Sequence, residues 1–192
     1  MKAYAIAAAA LTLIACQAPP STVEAQAQTQ PAAPLRTPDV IYVPTPHATV
    51  EAMLALGEVK TGDVLYDLGS GDGRIPIAAA KKFAVKGVGI DINPERIAEA
   101  NANAKSEGVT HLVKFRNDDL FTADFKEATV ITLYLLPSLN VKLMPRLLEL
   151  KPGTRIVSHA FDMGDWEPEK TVDVDGGGRI YLWRVPEKKA AD

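Results

Sequence analysis

Nine residues constrain this chain more than any other stretch. Asp67-Leu68-Gly69-Ser70-Gly71-Asp72-Gly73-Arg74-Ile75 joins an apolar run, Val64 to Leu68, directly to a helical one. An acid at a strand end, three glycines and a helix start form a cradle of nucleotide size. Gly69 and Gly71 permit a tight turn and let a ligand come close to bare backbone, and the free N–H groups opening the next helix can meet a polar group. The glycines read G-x-G-x-G, so the third arrives one residue earlier than in the dinucleotide-binding pattern G-x-G-x-x-G.

Around this turn the chain alternates regularly. Helices are predicted over Thr49 to Leu56, Ile75 to Lys82, Pro94 to Glu107 and Ser138 to Leu150. Pro76 is tolerable in the first turn of its helix. Asn93 caps the third helix, with Pro94 at its first position and Gly108 as its stop. Strands are predicted over Val64 to Leu68, Val85 to Ile92, Val113 to Arg116, Thr129 to Leu135 and Arg155 to Ala160. Strands alternating with helices imply a parallel sheet covered on both faces. The end breaks the rhythm, because Thr171 to Val174 and Arg179 to Val185 alternate and are joined by Asp175-Gly176-Gly177-Gly178, which reads as a hairpin. The fold class is therefore α/β, a mostly parallel seven-stranded sheet closed by an antiparallel hairpin, with helices on both faces.

A chain of 192 residues fits one such domain, assigned to residues 40–186, with a short disordered tail at 187–192. What precedes it is different in kind. Lys2 stands before an alanine-rich apolar run from Ala3 to Ala15, shorter than the roughly 20 residues that span a bilayer but the length of a signal-peptide core. Residues 1–15 are thus expected to act as an export signal. Leu13-Ile14-Ala15-Cys16 resembles a bacterial lipobox, which implies that Cys16 carries lipid and attaches the protein to a membrane of the cell envelope. The other reading is an ordinary secretory signal cut after Ala25-Gln26-Ala27, leaving a periplasmic protein, or a cytoplasmic one if the signal is not used. Residues 16–39, rich in Ala, Pro and Gln, lack the apolar surface to offset ordering and read as a flexible tether.

The net charge of −3 is scattered along the chain and leaves no basic footprint for nucleic acid. His47, His111 and His159 are dispersed and Cys16 is the sole cysteine, so no metal-ligand spacing exists and no metal site is expected.

In an open parallel sheet, ligands sit beyond the C-terminal ends of the strands. Asp67 ends the first strand, Asp91 the second, Asp119 follows the third and Tyr134 closes the fourth. Asp91 lies 22 residues after Gly69, a separation at which an acid accepts ribose hydroxyls. That spacing suits an adenosine sulfonium cofactor or NAD equally. The early third glycine, Asp119 and the hairpin speak against an NAD-dependent oxidoreductase. Asp72 is expected to cap the helix starting near Arg74.

Asp67 to Gly73 resembles the first motif of class I S-adenosylmethionine-dependent methyltransferases. The resemblance extends through Tyr42-Val43-Pro44-Thr45-Pro46, Gly89-Ile90-Asp91-Ile92-Asn93-Pro94, Asp119-Leu120-Phe121 and Tyr134-Leu135-Leu136-Pro137. These occur in the order seen in a small bacterial methyltransferase family, itself similar to mitochondrial lysine methyltransferases acting on membrane carrier and ATP synthase subunits. It implies a Rossmann-like fold, S-adenosyl-L-methionine as cofactor, and a site formed by Tyr42, Thr45, Asp67, Gly69, Ser70, Gly71, Gly73, Asp91, Ile92, Asp119 and Leu120. Within it, Asp67 serves the cofactor's ammonium group or ties the loop's amides, and Asp119 or Asp118 meets the adenine amino group. Tyr42 and Thr45 either fold over the methionine end or form a lead-in loop packed on the core. A non-catalytic envelope lipoprotein that keeps the fold for binding is the remaining alternative, since S-adenosylmethionine is made in the cytosol.

At the acceptor end, Tyr134-Leu135-Leu136-Pro137 stands where many methyltransferases that modify nitrogen carry an acid or Asn followed by Pro-Pro and an aromatic residue. The missing Asp or Asn weighs against nucleobase and glutamine substrates and leaves a protein lysine or a small molecule as acceptor. Tyr134 is either an aromatic wall for an amine or a buried strand end. His159 either orients substrate and takes a proton or is a hydrogen-bonded structural residue.

Overall fold

The computed structural model describes Leu35 and residues 37–187. The signal segment 1–15, Cys16, nearly all of the tether and the tail from residue 188 onward lie outside the described residues. Helix α1 is His47–Leu56, β1 Val64–Leu68, α2 Arg74–Phe83, β2 Lys86–Asp91, α3 Pro94–Ser106, β3 Val113–Asn117, β4 Val130–Leu133, α4 Pro137–Leu148, β5 Arg155–His159, β6 Lys170–Val174 and β7 Gly178–Arg184. They form one seven-stranded sheet in the order β3-β2-β1-β4-β5-β7-β6. The first five strands in that row are parallel, and β7 pairs antiparallel with both β5 and β6.

Alternation along each strand divides the core. Leu65, Val130 and Val157 point toward Val50, Met53 and Leu54 of α1 and Ile75 and Ala79 of α2. Their neighbours Tyr66, Ile131 and Ile156 point the other way, toward Leu143 and Leu147 of α4. Helix α3 packs Ala100 and Ala104 beside Ile77 and Ala80 of α2, over Val113 and Phe115 of β3. Burying both sheet faces explains why the central strands read as nearly unbroken apolar runs.

The chain changes sheet half between β3 and β4, because β1 pairs with β2 on one side and β4 on the other. That reversal opens a crevice beyond the C-terminal ends of β1 and β4. Two boundaries differ from expectation in a way that matters there. Strand β4 stops at Leu133, so Tyr134 lies in the loop beyond it, and α4 starts at Pro137. Proline suits the first helical position, since its missing N–H has no intrahelical partner there.

Candidate active site

The turn after β1 is built as its glycines demand. Gly69, Gly71 and Gly73 have φ of +85°, +51° and +78°, a region costly for any residue with a Cβ. The Gly69 and Ser70 amides both donate to the carbonyl of Ile90, at 2.8 and 3.0 Å, which hangs the turn on the end of β2. A Cβ at Gly71 would overlap the Tyr42 ring, and one at Gly73 would fall 2.5 Å from Phe115.

Asp91 does the tying that the sequence left open for Asp67. Its Oδ2 accepts the Gly71 amide at 2.8 Å and its Oδ1 the Asn93 amide at 2.9 Å. Each carboxylate oxygen has two lone pairs, so capacity remains for hydroxyl donors. Asp67, in contrast, is buried and accepts the Thr132 hydroxyl at 2.7 Å. Burial pushes its carboxyl up to about 7; the Thr132 hydroxyl opposes the rise and the Asp91 and Asp72 carboxylates add to it. An acid held near neutrality in a cavity wall is suited to receive a cation.

The cavity spans about 950 Å³ including its open mouth. It brings together Tyr42, Thr45, Asp67, Gly69, Ser70, Asp91, Ile92, Asp119, Leu120 and Tyr134. Gly71, Gly73 and His159 do not line it. Asp119 faces the cavity, whereas Asp118 turns to the Arg116 guanidinium at 2.5 Å and accepts the Asp119 amide. His159 sits behind the wall, 4% exposed, with both ring nitrogens engaged. Its Nε2 bonds the Gly177 carbonyl at 2.8 Å, which can only accept, so Nδ1 accepts from the Thr45 hydroxyl at 3.2 Å. Burial lowers its pKa, against the Gly177 bond, and keeps the ring neutral. This geometry is that of a structural histidine fastening residue 45 and the β6–β7 turn to β5, and Tyr134 packs on its ring with centroids 4.0 Å apart.

Several contacts that shape the site carry no sequence signal. Arg74 donates to the Thr45 carbonyl at 2.8 Å and grips Asp72 at 2.6 Å, clamping the Tyr42 segment over the turn. Asp72 accepts the Arg74 amide at 3.2 Å from one residue before the cap, which is Gly73 and not Asp72 as expected, and it also faces the cavity. Burial raises the Asp72 pKa, and the Arg74 bonds outweigh it, so the carboxylate stays below its usual range. The Arg96 guanidinium lies 5.0 Å from the Tyr42 ring centroid, a cation–π contact closing the same segment.

The lining fits an adenosine cofactor with an amino-acid end. Bare glycine backbone allows close approach, and Asp91 and Asp119 stand at successive strand ends. The Ser70 hydroxyl is buried without a partner among the described residues, in a wall where such groups are normally satisfied. Fold and cavity together define a class I S-adenosylmethionine-dependent methyltransferase. The profile described as the ANTKMT methyltransferase domain matches residues 67–170, and the chain belongs to that family. A protein-lysine N-methyltransferase of Saccharolobus islandicus is 47% identical over 157 residues, covering 79% of this chain and 98% of that protein. An adenine nucleotide translocase lysine N-methyltransferase of Mus musculus is 32% identical over 153 residues, 79% of this chain but 66% of that longer protein. A crystal structure described as that of an RNA methyltransferase from Salinibacter ruber, in complex with S-adenosyl-L-homocysteine, is 56% identical with a TM-score of 0.75, covering 78% of this chain and 98% of that one. Membership decides between the cofactor readings in favour of S-adenosylmethionine.

Proposed function

We propose that the protein methylates the side-chain amine of a protein lysine. The observation that carries this reading is the wall at the acceptor end. Tyr134, Leu135 and Leu139 line the cavity there, and the tetrad from Tyr134 to Pro137 offers no Asp or Asn to grip an amide or an exocyclic amine. The similarity to protein-lysine N-methyltransferases supports it.

When bound, S-adenosylmethionine supplies a methyl carbon on a positively charged sulfur, which a neutral amine attacks without further activation. The protein's share is placement and dryness. Asp91 receives the ribose hydroxyls, Asp119 and the Leu120 backbone receive the adenine, and Asp67 and Ser70 receive the polar groups of the methionine end. The Tyr42 to Thr45 segment, clamped by Arg74 and Arg96, covers that end and keeps water out. A lysine ammonium, with an ordinary pKa of about 10.4, must give its proton to bulk water as it leaves solvent for the site, because only the neutral amine reacts. Apolar surroundings disfavour the charged form, so the Tyr134 and Leu139 wall favours the neutral nucleophile. Proximity and orientation then supply most of the acceleration, and neither a general base nor a metal is required.

The Salinibacter relative, described as an RNA methyltransferase, makes RNA the rival acceptor. Incubating the protein with methyl-labelled S-adenosylmethionine and separated total protein or total RNA tests the two. Label recovered as methyllysine after hydrolysis is expected; label recovered only in nucleosides refutes the proposal. The segment 1–15 and Cys16 extend it to location, tethering the domain at the cell envelope. Fractionation of a C-terminally tagged form with palmitate labelling tests this, and wholly cytosolic, unlabelled protein refutes it.

A further inference from the structure

The chain stores backbone strain immediately after β5. Ala160 has φ of +65°, and the Phe161 amide donates to the His159 carbonyl at 2.9 Å, closing a three-residue turn of the rare, strained hand. Among the described residues, two others with a Cβ share a positive φ, Glu58 and Ala84, and both follow helix ends, where such backbone is common. Ala160 has no helix end to explain it. Strain of this kind persists only where the surroundings over-determine it, and it clusters at functional sites.

Here the surroundings are polar, buried and specific. The Ser158 hydroxyl donates to the Phe161 carbonyl at 2.6 Å. From α4, the Asn140 Nδ2 reaches the same carbonyl at 3.3 Å, the Asp162 carbonyl at 3.0 Å and Ser158 Oγ at 3.3 Å. Asn140 and Ser158 are both fully buried. The Asn140 Oδ1 has no partner among the described residues, so the amide is held for its donors alone. On the other side, the Ala160 amide donates to the Arg179 carbonyl at 2.7 Å.

The product of this arrangement is the position of one ring. Phe161 lies beside Tyr134, centroids 6.2 Å apart and planes 22° from parallel, and is partly buried. Tyr134 in turn lines the cofactor cavity. We propose that Phe161 and Tyr134 form the acceptor subsite for the lysine side chain, and that Asn140 is a positioning residue that sets this subsite through the Ala160 turn. The inference rests on the lysine reading above and names the residue that shapes it. Aromatic faces attract an alkylammonium as it arrives and leave room for a set number of methyl groups as it is modified.

The test uses the full-length protein with labelled S-adenosylmethionine, and total protein from cells lacking the gene as acceptor. Rates at limiting and saturating acceptor, the spread of mono-, di- and trimethyllysine by mass spectrometry, and calorimetric affinity for S-adenosylhomocysteine are the readouts. Phe161→Ala and Asn140→Asp, whose carboxylate would face two carbonyls, are expected to lower the rate at limiting acceptor by about tenfold or more, the scale of a desolvated cation–π contact. Phe161→Tyr keeps the aromatic face, and Ala160→Gly adopts the same φ without strain. Phe161→Tyr is expected to recover most of the rate that Phe161→Ala loses, Ala160→Gly to stay near the wild-type rate, and all four to bind S-adenosylhomocysteine like wild type. Phe161→Ala is also expected to shift product toward trimethyllysine; should it fail to fold, Phe161→Leu is judged by the same criteria. A wild-type rate and product spread in the Phe161 variant overturns the subsite while leaving lysine methylation standing. Loss of S-adenosylhomocysteine affinity in step with rate overturns it as mere structural damage. Absence of methyllysine with the wild-type protein overturns the lysine reading and the subsite together.

Discussion

Thr132 on β4 donates its hydroxyl to the buried Asp67 carboxylate at 2.7 Å, across the register pair that joins β4 to β1. The bond only partly offsets burial, and the carboxyl sits at about 7 against its ordinary 3.8. Between those values the folded protein holds a proton that the unfolded chain has lost. Stability therefore falls as pH rises through that window and levels off above about 7. A ligand ammonium reverses the preference by stabilising the carboxylate. Binding of S-adenosylhomocysteine is expected to release a proton at about pH 6 and almost none at about pH 8.5, with affinity falling up to about tenfold per unit below 7. Calorimetry in two buffers of different ionisation enthalpy measures this. Thr132→Val removes the opposing bond and should move the midpoint upward. Affinity that is flat from acid to alkaline pH would remove Asp67 from the ammonium site.

Asp91 is expected to matter twice, as ribose acceptor and as anchor of the turn through the Gly71 and Asn93 amides. Loss of charged hydrogen bonds costs on the order of 1.5–3 kcal/mol, so Asp91→Ala should weaken S-adenosylhomocysteine by roughly ten- to more than a hundredfold. Asp91→Asn is expected to do no better than a tenfold loss, because one oxygen becomes an N–H facing a backbone N–H. Unchanged affinity in both variants would assign the ribose elsewhere.

The parts of the site that were legible in the sequence are those written locally. The glycine turn, Asp91 at its fixed distance and the closing hairpin each depend on neighbours in the chain or on strand alternation. The clamp on the Tyr42 segment was invisible because Arg74 reaches Thr45 across 29 residues, and Thr132 reaches Asp67 across 65. Neither contact leaves a periodicity. Asp118 and Asp119 were indistinguishable for a related reason: which of the two faces the cavity depends on Arg116 drawing Asp118 away. The strained turn at Ala160 left no trace either, since no glycine or asparagine marks it.

The packing of Tyr42 on Gly71 makes a testable coupling. Gly71→Ala places a Cβ into the Tyr42 ring at a φ of +51°. The left-handed backbone alone costs roughly 1–2 kcal/mol, and the overlap must in addition displace the Tyr42 segment. Gly62→Ala is the control, with φ of +95° but nothing within 4 Å of the new Cβ. Both variants should lose stability, and only Gly71→Ala should also lose S-adenosylhomocysteine affinity. Adding Tyr42→Ala should cost the Gly71 variant less affinity than it costs wild type, since the ring has already been displaced. Strict additivity in that double-mutant cycle would show that the ring and the turn act independently.

At the far end of the sheet, the buried Asp63 and Arg155 form an ion pair that serves stability and not the site. Arg155 also donates to the Gly57 and Glu58 carbonyls, at 2.9 and 2.7 Å, and Asp63 accepts the Thr129 hydroxyl at 2.7 Å and the Lys60 amide at 2.9 Å. Burial raises the Asp63 pKa, but these hydrogen bonds and the guanidinium outweigh it and hold the carboxyl below its usual value. The pair's contribution is thus present above about 3.8, the unfolded value, and is lost as pH falls through the lower folded one. Removing one member of a buried pair strands the other, at a cost of about 3–5 kcal/mol. Arg155→Met should therefore lower the denaturation midpoint at neutral pH by an amount set by that cost. The deficit should shrink in acid, where the Asp63 left behind takes up a proton, while affinity for S-adenosylhomocysteine in the folded fraction stays unchanged. Denaturant titrations at neutral and acid pH with parallel calorimetry measure all three quantities. A deficit that is the same at both pH values would mean that Arg155 stabilises the fold through the Gly57 and Glu58 carbonyls, and not through Asp63.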